Sequence, residues 1–238
     1  MGNIFDGLYG YEEVMMVMGI VIFAVLLLGL IMAFIKGKPY GGLLMFFALP
    51  IIFVGWPGIQ EIKISSSELE IDKYSAQLQQ DPTNQATRTS LLQAVSGIAG
   101  RPWSDPAVLT KLATAQLMLD DVQAAKANLS KALQSKSAPP EAAALQTRIQ
   151  TEELLPSLTQ KVAQNPADTA AKAQLQQSVT DLTKTGVANP ATLTNVASAQ
   201  AVLGDNEQAI STVNRALTIK PGLAAATQLK NRLQVAAH

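Results

Sequence analysis

The pattern of hydrophobic and polar positions begins with two long apolar runs. Residues 14–35 and 40–59, which are 22 and 20 positions long, contain no charged side chain. At about 1.5 Å per residue, a helix of either length extends about 30 Å, which matches the hydrocarbon thickness of a bilayer. Only residues 36–39 separate the runs. The pattern therefore predicts a transmembrane helical hairpin over residues 14–60, preceded by an interfacial flank at residues 1–13.

Charges around the hairpin predict its orientation. Lys36 and Lys38 lie in the hinge, whereas the flank before the first run carries Asp6, Glu12 and Glu13. Because basic residues concentrate in cytoplasmic loops, we expect the hinge in the cytoplasm and everything after residue 60, like the N-terminus, on the extracytoplasmic face. In a double-membrane bacterium this means an inner-membrane protein with a periplasmic domain. No small-residue cleavage site follows the first run, so we expect the run to be retained.

Small residues and a proline mark candidate packing positions inside the hairpin. Gly29 and Ala33 form one small-xxx-small step, and Pro50 is expected to kink the second helix. Two interpretations stay open: these residues pack the hairpin against itself, or they contact other membrane subunits. The methionines of this region have no His or Cys nearby, so neither haem nor copper is expected.

Beyond residue 60 the apolar positions follow a helical period. They recur at i, i+3, i+4 and i+7, and no useful stretch alternates with period two. Residues 106–133 and 190–217 agree at 12 of 28 positions when one is shifted by 84. The predicted fold is therefore all-α: the hairpin, a linker at residues 61–67, and an α-solenoid built from two copies of an 84-residue unit, residues 68–151 and 152–238.

Several local signals predict where helices begin. Asp or Asn at an N-cap accepts an orphan backbone N–H, and proline at the next position needs no acceptor. Ser65 with Glu68 is expected to form a capping box at the start of the first unit. Pro156 predicts a kink or break in a helix over residues 141–164. The four Asx-Pro pairs are Asp81 with Pro82, Asp105 with Pro106, Asn165 with Pro166, and Asn189 with Pro190.

Composition narrows the chemistry that the chain can perform. Its net charge is zero, it has no cysteine, and its only histidine is His238. Scattered basic residues provide no electrostatic footprint for nucleic acid. Without Cys or an internal His, neither a zinc site nor a His-based general base is expected, and no phosphate-binding loop occurs. We therefore expect a protein that is not an enzyme and holds no cofactor or metal.

The second copy contains a motif that resembles the tetratricopeptide (TPR) repeat. Counted from Pro190 as position 1, the residues that match the family's large, small, Gly, Ala, Ala and Pro positions are Leu193, Ala197, Gly204, Ala209, Ala216 and Pro221. The first copy matches more weakly, with Asp120 in place of the glycine. The resemblance implies stacked antiparallel helix pairs with a concave face.

The concave face implied by this resemblance is apolar and hydroxylic. It lacks the Lys, Arg and Asn cluster with which TPR clamps hold a terminal carboxylate, so an amphipathic helix is the expected occupant. The alternative is that the solenoid packs sideways on a neighbour and the face stays empty. The candidate residues are Thr110, Thr114, Leu117 and Met118 from one copy, and Thr194, Ser198, Ala201 and Val202 from the other.

These features suggest a membrane-anchored protein-interaction scaffold that assists assembly of a membrane or periplasmic complex. The plan is similar to the TPR factors of bacterial cytochrome c maturation, which have two spans followed by a periplasmic TPR domain, although their hinge is longer. The expected partners are proteins and the lipid bilayer. One alternative is a structural accessory subunit of a respiratory, secretion or motor complex. Another is a homo-oligomer joined through its hairpins.

Overall fold

The computed structural model describes residues 6–37, 39, 41–186 and 188–236, except for the side chains of Glu61 and Ala236. Helices dominate these ranges, and no strand occurs among them, which confirms the all-α prediction. The helices are α1 (Gly10–Ile35), α2 (Gly41–Met45), α3 (Ala48–Gln80), α4 (Gln85–Ile98), α5 (Pro106–Met118), α6 (Val122–Gln134), α7 (Pro140–Gln164), α8 (Thr169–Lys184), α9 (Pro190–Leu203), α10 (Asn206–Ile219) and α11 (Ala224–Ala236).

Two compact units make up the fold. The anchor unit comprises residues 1–69 and 96–105, and the helical unit comprises residues 70–95 and 106–238. In the anchor unit, α1 and the segment Gly41–Gln80 are long and apolar enough to cross a membrane. Only 6% and 11% of their most apolar windows are buried inside the protein. A core helix of a soluble domain is mostly buried, so these helices leave their apolar side chains without a protein environment.

The two apolar segments pack antiparallel. Position 19 of α1 faces residues 53 and 54 of α3, and position 29 faces Leu43 of α2. The rings of Phe23 and Phe47 meet edge to face, with centroids 5.6 Å apart. Gly19 makes the tighter of these approaches, because a Cβ there would lie 2.7 Å from Val54 Cγ2, against 3.5 Å from Leu43 Cδ2 at Gly29.

Two of the predicted packing residues are less buried than Gly19. Gly29 and Ala33 are half-buried, whereas Gly19, which the sequence did not single out, is buried. Pro50 lies in the first turn of α3, just after the turn at residues 46–47, and the proline inside this helix is Pro57. A proline in the first turn removes an N–H that needs no intrahelical acceptor, so its position explains the helix start rather than a kink in its middle.

The structure corrects the predicted linker. Residues 61–67 belong to α3, which continues without interruption to Gln80, and no helix begins at Glu68. The Ser65 and Glu68 pattern therefore lies in a helix interior. Ile64 and Ile71, seven positions apart on one helix face, are both buried. Burial of that continuous face outweighs the local capping signal.

Helix starts in the helical unit repeat with the shift found in the sequence. The starts of α4, α5, α6 and α7 are residues 85, 106, 122 and 140, and those of α8, α9, α10 and α11 are residues 169, 190, 206 and 224, each 84 positions later. Helix α7 continues through Pro156 without the break that the sequence suggested. The register of secondary structure thus follows the repeat of the sequence.

Small buried residues occupy equivalent places in the two copies. Helix α5 packs on α6, and α9 packs on α10. Because an alanine adds only a methyl group, two helices that meet at alanines approach closely. The fully buried alanines at these contacts are Ala113, Ala125 and Ala132 in the first copy and Ala197, Ala209 and Ala216 in the second.

Two of the four predicted caps are displaced. Asn189 caps α9 as predicted, with its side chain accepting from the N–H of Ala191 and Thr192, and α5 and α9 both begin at proline. Helices α4 and α8, however, begin after Asn84 and Asp168, three residues later than the Asp81 and Asn165 pairs suggested. Pro82 with Thr83, and Pro166 with Ala167, form the turn that precedes each helix.

Candidate interaction surfaces

The first-copy residues of the predicted concave face lie mostly in the protein interior. Thr110, Leu117 and Met118 are 5%, 1% and 1% exposed, and Thr114 is half-buried. The Thr110 hydroxyl donates to the carbonyl of Pro106, one helical turn earlier. Leu117 belongs to the core between α5, α6 and α7. This half of the predicted face therefore offers little surface to a partner.

The second-copy residues are more accessible. Thr194 is buried, and its hydroxyl donates to the carbonyl of Pro190 at 2.8 Å. Ser198, Ala201 and Val202 are half-exposed. Ser198 and Val202 line a groove of about 310 Å³, whereas Ala201 packs at the edge of the core. The structure thus brings two of the eight candidate residues together at an open surface.

The other walls of this groove come from three helices. Helix α7 contributes Pro156, Thr159, Gln160 and Ala163, α9 adds Asn195, and α11 adds Arg232. Arg232, which lies 84 positions after Arg148, was not among the predicted site residues. The lining otherwise consists of amides, hydroxyls and apolar groups. We call this the second-copy groove.

A polar junction joins the two copies near Asp120. The Asp120 carboxylate accepts from Asn189 Nδ2 at 2.9 Å and lies 3.3 Å from Lys220 Nζ. Asp120 has a φ of +73°, and its counterpart Gly204 has a φ of +93°. An aspartate is strained in this left-handed conformation, whereas glycine is not. The two contacts give the Asp120 carboxylate partners that a glycine at this position would lack.

Arg88 completes the junction from α4. Its Nη1 donates to the carbonyl of Met118 at 2.6 Å, and its Nη2 donates to the carbonyl of Ala188 at 2.7 Å. Burial lowers the pKa of the Arg88 guanidinium, and the nearby charge of Asp120 opposes that shift. Gln85, one turn earlier, donates to the carbonyl of Ile219 at 2.9 Å. The contacts of Arg88 with Ala188 and of Gln85 with Ile219 hold the first copy against residues 100 and 134 positions later.

In the anchor unit, the N-terminal flank is bound to the segment that follows α4. The Asp6 carboxylate accepts from the N–H and the hydroxyl of Ser104, at 2.9 and 2.5 Å, and from the N–H of Asp105 at 2.9 Å. The Tyr9 hydroxyl donates to the carbonyl of Gly100 at 3.3 Å. We call this contact between residues 6–12 and 100–105 the clasp.

Arg101 lies at the centre of the clasp. Its Nη1 donates to the Gly7 carbonyl at 3.0 Å and to Glu12 Oε2 at 3.2 Å, and its Nη2 donates to Gln60 Oε1 at 3.2 Å. Its guanidinium carbon lies 5.3 Å from the centre of the Tyr9 ring, within range of a cation–π interaction. One side chain therefore connects the start of α1 with Gln60 of α3.

Trp103 closes the clasp against a glycine. Gly7 has a φ of +78°, and a Cβ at this position would lie 2.5 Å from Cζ3 of Trp103. The indole N–H of Trp103 donates to the carbonyl of Ile98 at 2.8 Å. None of the clasp residues was predicted from the sequence to form a site. The visible signal of the clasp is the presence of Trp103 in a part of the chain that has almost no other aromatic residue.

Two further observations concern metal binding and similarity to known proteins. Within the described ranges, no group of three His, Cys, Asp or Glu side chains is arranged to hold a metal ion. Comparison with known proteins yields no match: no protein-family model, curated protein or solved structure is significantly similar to the chain.

Proposed function

We propose that this chain is a two-pass membrane protein whose helical unit is a TPR-like solenoid of two copies. It acts as a protein-interaction scaffold on the extracytoplasmic face and assists assembly of a membrane or periplasmic complex. It is not an enzyme and needs no cofactor. An open groove in a chain that also has two helices apolar enough to cross a membrane is the observation that carries this proposal. The conserved 84-residue register of helix starts supports the two-copy solenoid.

The clasp supports a hairpin topology. Arg101 contacts both Glu12 near the start of α1 and Gln60 of α3, so these two positions lie at the same end of the apolar pair. A chain that leaves and returns to one end crosses a bilayer twice. The N-terminal flank and residues 100–105 then share one face of the membrane. Lys36, in the hinge at the opposite end, favours a cytoplasmic hinge.

Introduced cysteines test this topology, since the chain has none of its own. In intact spheroplasts, a membrane-impermeant maleimide should label Ser137→Cys and leave Pro39→Cys unlabelled until the membrane is permeabilised. Both positions are exposed in the protein, so the difference reports the membrane alone. Labelling of Pro39→Cys in intact spheroplasts, with Ser137→Cys protected, would reverse the orientation.

The second-copy groove is suited to a helical segment of a partner. It is lined by side chains of α7, α9 and α11, with half-exposed Val202 and Ser198 on one wall. A groove between helices accepts the apolar face of an amphipathic helix, whose own backbone hydrogen bonds are already satisfied. Attachment to the membrane confines the groove to two dimensions and raises its effective concentration towards membrane-bound partners.

A photo-crosslinking amino acid placed at position 198 tests this groove. Position 114 is the matched control, because Thr114 occupies the equivalent place in the first copy and does not line the second-copy groove. We expect a protein adduct from position 198 and a much weaker one from position 114. Equal adducts, or none from position 198, would remove the groove from the function.

Two glycines of α3 favour one alternative, a structural accessory subunit of a larger membrane complex. Gly55 and Gly58 of α3 have open space where a Cβ would be, so another membrane helix could approach them closely. If this function is correct, Gly58→Leu should release stoichiometric partners during purification in mild detergent. If the release is of further copies of the same chain, the hairpins form a homo-oligomer.

A further inference from the structure

Two arginines that lie 84 positions apart, Arg148 and Arg232, differ in burial and in ion-pair partner. Arg148, near the end of the first copy, donates through Nε to Oε1 of Glu152, the first residue of the second copy, at 3.0 Å, and both side chains are about nine-tenths buried. The residues 84 positions later are Arg232 and Ala236. The arginine is thus retained and its carboxylate is replaced by a methyl group. Arg232 is exposed, and it makes no ion pair with any side chain that the structure describes.

A second ion pair of the first copy is also lost at the groove. Lys111 Nζ lies 2.6 Å from Asp72 Oδ2 in the first copy. The corresponding residues are Asn195 and Pro156, and both line the second-copy groove. The acidic residues Asp72 and Glu152 therefore have uncharged residues, Pro156 and Ala236, 84 positions later. Of the four charged positions, only the arginine remains charged there.

The groove consequently has one formal charge, which is positive. Its described lining consists of Arg232 together with uncharged side chains, including the amides of Gln160 and Asn195 and the hydroxyl of Ser198. These amides and hydroxyls are able to donate hydrogen bonds to an oxygen acceptor. A carboxylate in the groove would meet an arginine without meeting an acidic side chain. A helix without an acidic side chain would leave Arg232 without an ionic partner.

We propose that the second-copy groove recognises a helical segment of a protein partner through an Asp or Glu side chain that pairs with Arg232. This inference rests on the proposed function of the groove and adds the charge of the occupant. The acidic side chain of the partner replaces the internal acid that Arg148 has in Glu152. The apolar face of the same helix contacts Val202 and Ala163.

The crosslink from position 198 tests this pairing when it is combined with substitutions of Arg232. Arg232→Glu should reduce the adduct at least about fivefold, the size of effect expected for an accessible ion pair, and Arg232→Lys should restore most of it. Lys230→Glu is the control, because position 230 is on the same helix but about 200° away around its axis. Circular dichroism of the full chain in detergent checks that each variant is folded.

A pair of defined peptides gives an independent measurement. Two helical peptides of alanine and leucine, identical except for a central Glu or Gln, are titrated against the detergent-purified full chain. We expect the Glu peptide to bind about fivefold more tightly and this preference to disappear in Arg232→Gln. A preference that survives the substitution, or equal binding of the two peptides, overturns the pairing.

The outcomes separate this inference from the proposed function. An adduct at position 198 that is unchanged by Arg232→Glu means that the groove binds a partner without the ion pair, so only the inference fails. The absence of any adduct from position 198, in a chain that is folded and inserted, means that the proposed function of the groove fails too.

Discussion

Arg101 and Glu12 form a buried ion pair across 89 positions of sequence. The two side chains are 11% and 2% exposed, and their nearest charged atoms are 3.2 Å apart. The Glu12 carboxylate also accepts from the backbone N–H of Tyr9 at 2.9 Å. Each charge is therefore compensated by the other and by further hydrogen bonds. Removal of either partner leaves the remaining charge without its ionic partner at a largely buried site.

Arg101→Gln and Glu12→Gln should each destabilise the chain by about 3–5 kcal/mol, the range for breaking a buried pair. The double variant should cost less than the sum, because neither charge then remains unpaired. Denaturant unfolding of the full chain in detergent measures the free energies. Lys111→Gln is the control: its pair with Asp72 is 42% and 49% exposed, so its loss should cost about 1 kcal/mol or less. Equal losses at the two pairs would contradict the burial of the clasp.

Features set by local pattern could be predicted from the sequence. The apolar runs, the helical period and the spacing of the buried alanines depend on neighbours within one or two helical turns. The 84-residue shift of the sequence appears again in the helix starts. The linker predicted at residues 61–67 is absent for a physical reason that the local pattern does not contain. Ser65 and Glu68 form a valid local signal, but the buried face of α3, with Ile64 and Ile71, favours a continuous helix. Local capping energy is small compared with that burial.

Neither the clasp nor the burial of the predicted concave face could be predicted, because both depend on contacts between residues that are far apart in the sequence. Nothing near Glu12 indicates that Arg101 will pair with it, because the two are brought together only by the fold. Likewise, Thr110 and Met118 have the spacing of an exposed concave face, yet they are buried. The equivalence of the two copies in sequence therefore did not predict that Val202 lines an open groove while its first-copy counterpart, Met118, is buried.

Gly19 should be less tolerant of substitution than Gly29. A Cβ at Gly19 would lie 2.7 Å from Val54 Cγ2 and 3.0 Å from Phe53 Cβ, so one of the helices must shift. We expect Gly19→Ala to cost about 1–3 kcal/mol, as overpacking does, and Gly29→Ala to cost less, since its nearest atom would lie at 3.5 Å. Thermal unfolding in one detergent ranks the two variants. The opposite ranking would mean that the hairpin packs through Gly29.

Asp120 combines a strained backbone with two favourable contacts, and three substitutions separate these effects. Asp120→Ala loses the contacts to Asn189 and Lys220 and keeps the strain of a φ of +73°. Asp120→Gly loses the contacts but relieves the strain, so it should be more stable than Asp120→Ala by about 1 kcal/mol. Gly204→Ala should add strain of similar size at the equivalent position. If Asp120→Ala equals Asp120→Gly in unfolding free energy, the strain at this residue is negligible.

Asp168 gives the chain a pH-dependent cap on α8. The N–H of Ala171 and the nearby Lys161 lower the pKa of the Asp168 carboxyl. A depressed folded-state pKa stabilises the fold above the unfolded value of about 3.9, and this contribution is lost as the pH falls through the folded value. Asp168→Asn retains a capping oxygen but not the charge. The thermal midpoint of wild type should exceed that of Asp168→Asn at pH 7, and the gap should close below about pH 4.

The control for this titration is Asp205→Asn. Asp205 precedes α10 without a side-chain cap hydrogen bond, so its substitution should change the midpoint less than Asp168→Asn does at pH 7. A gap between wild type and Asp168→Asn that stays constant from pH 7 to pH 3 would show that the charge of Asp168 does not contribute to stability.

Ala113 and Ala197 test whether the two copies are built on one plan. Both are fully buried and occupy equivalent places, one on α5 against α6 and the other on α9 against α10. Leucine at either position adds three carbon atoms to a seam where the helices already meet, and overpacking of this kind costs about 1–3 kcal/mol. Ala191→Leu is the control, since Ala191 lies on the exposed side of α9. Denaturant unfolding should give similar losses for Ala113→Leu and Ala197→Leu and little change for Ala191→Leu. If only one of the two buried positions tolerates leucine, the helices at that position lie farther apart than those at the other. The two copies would then pack differently at this contact.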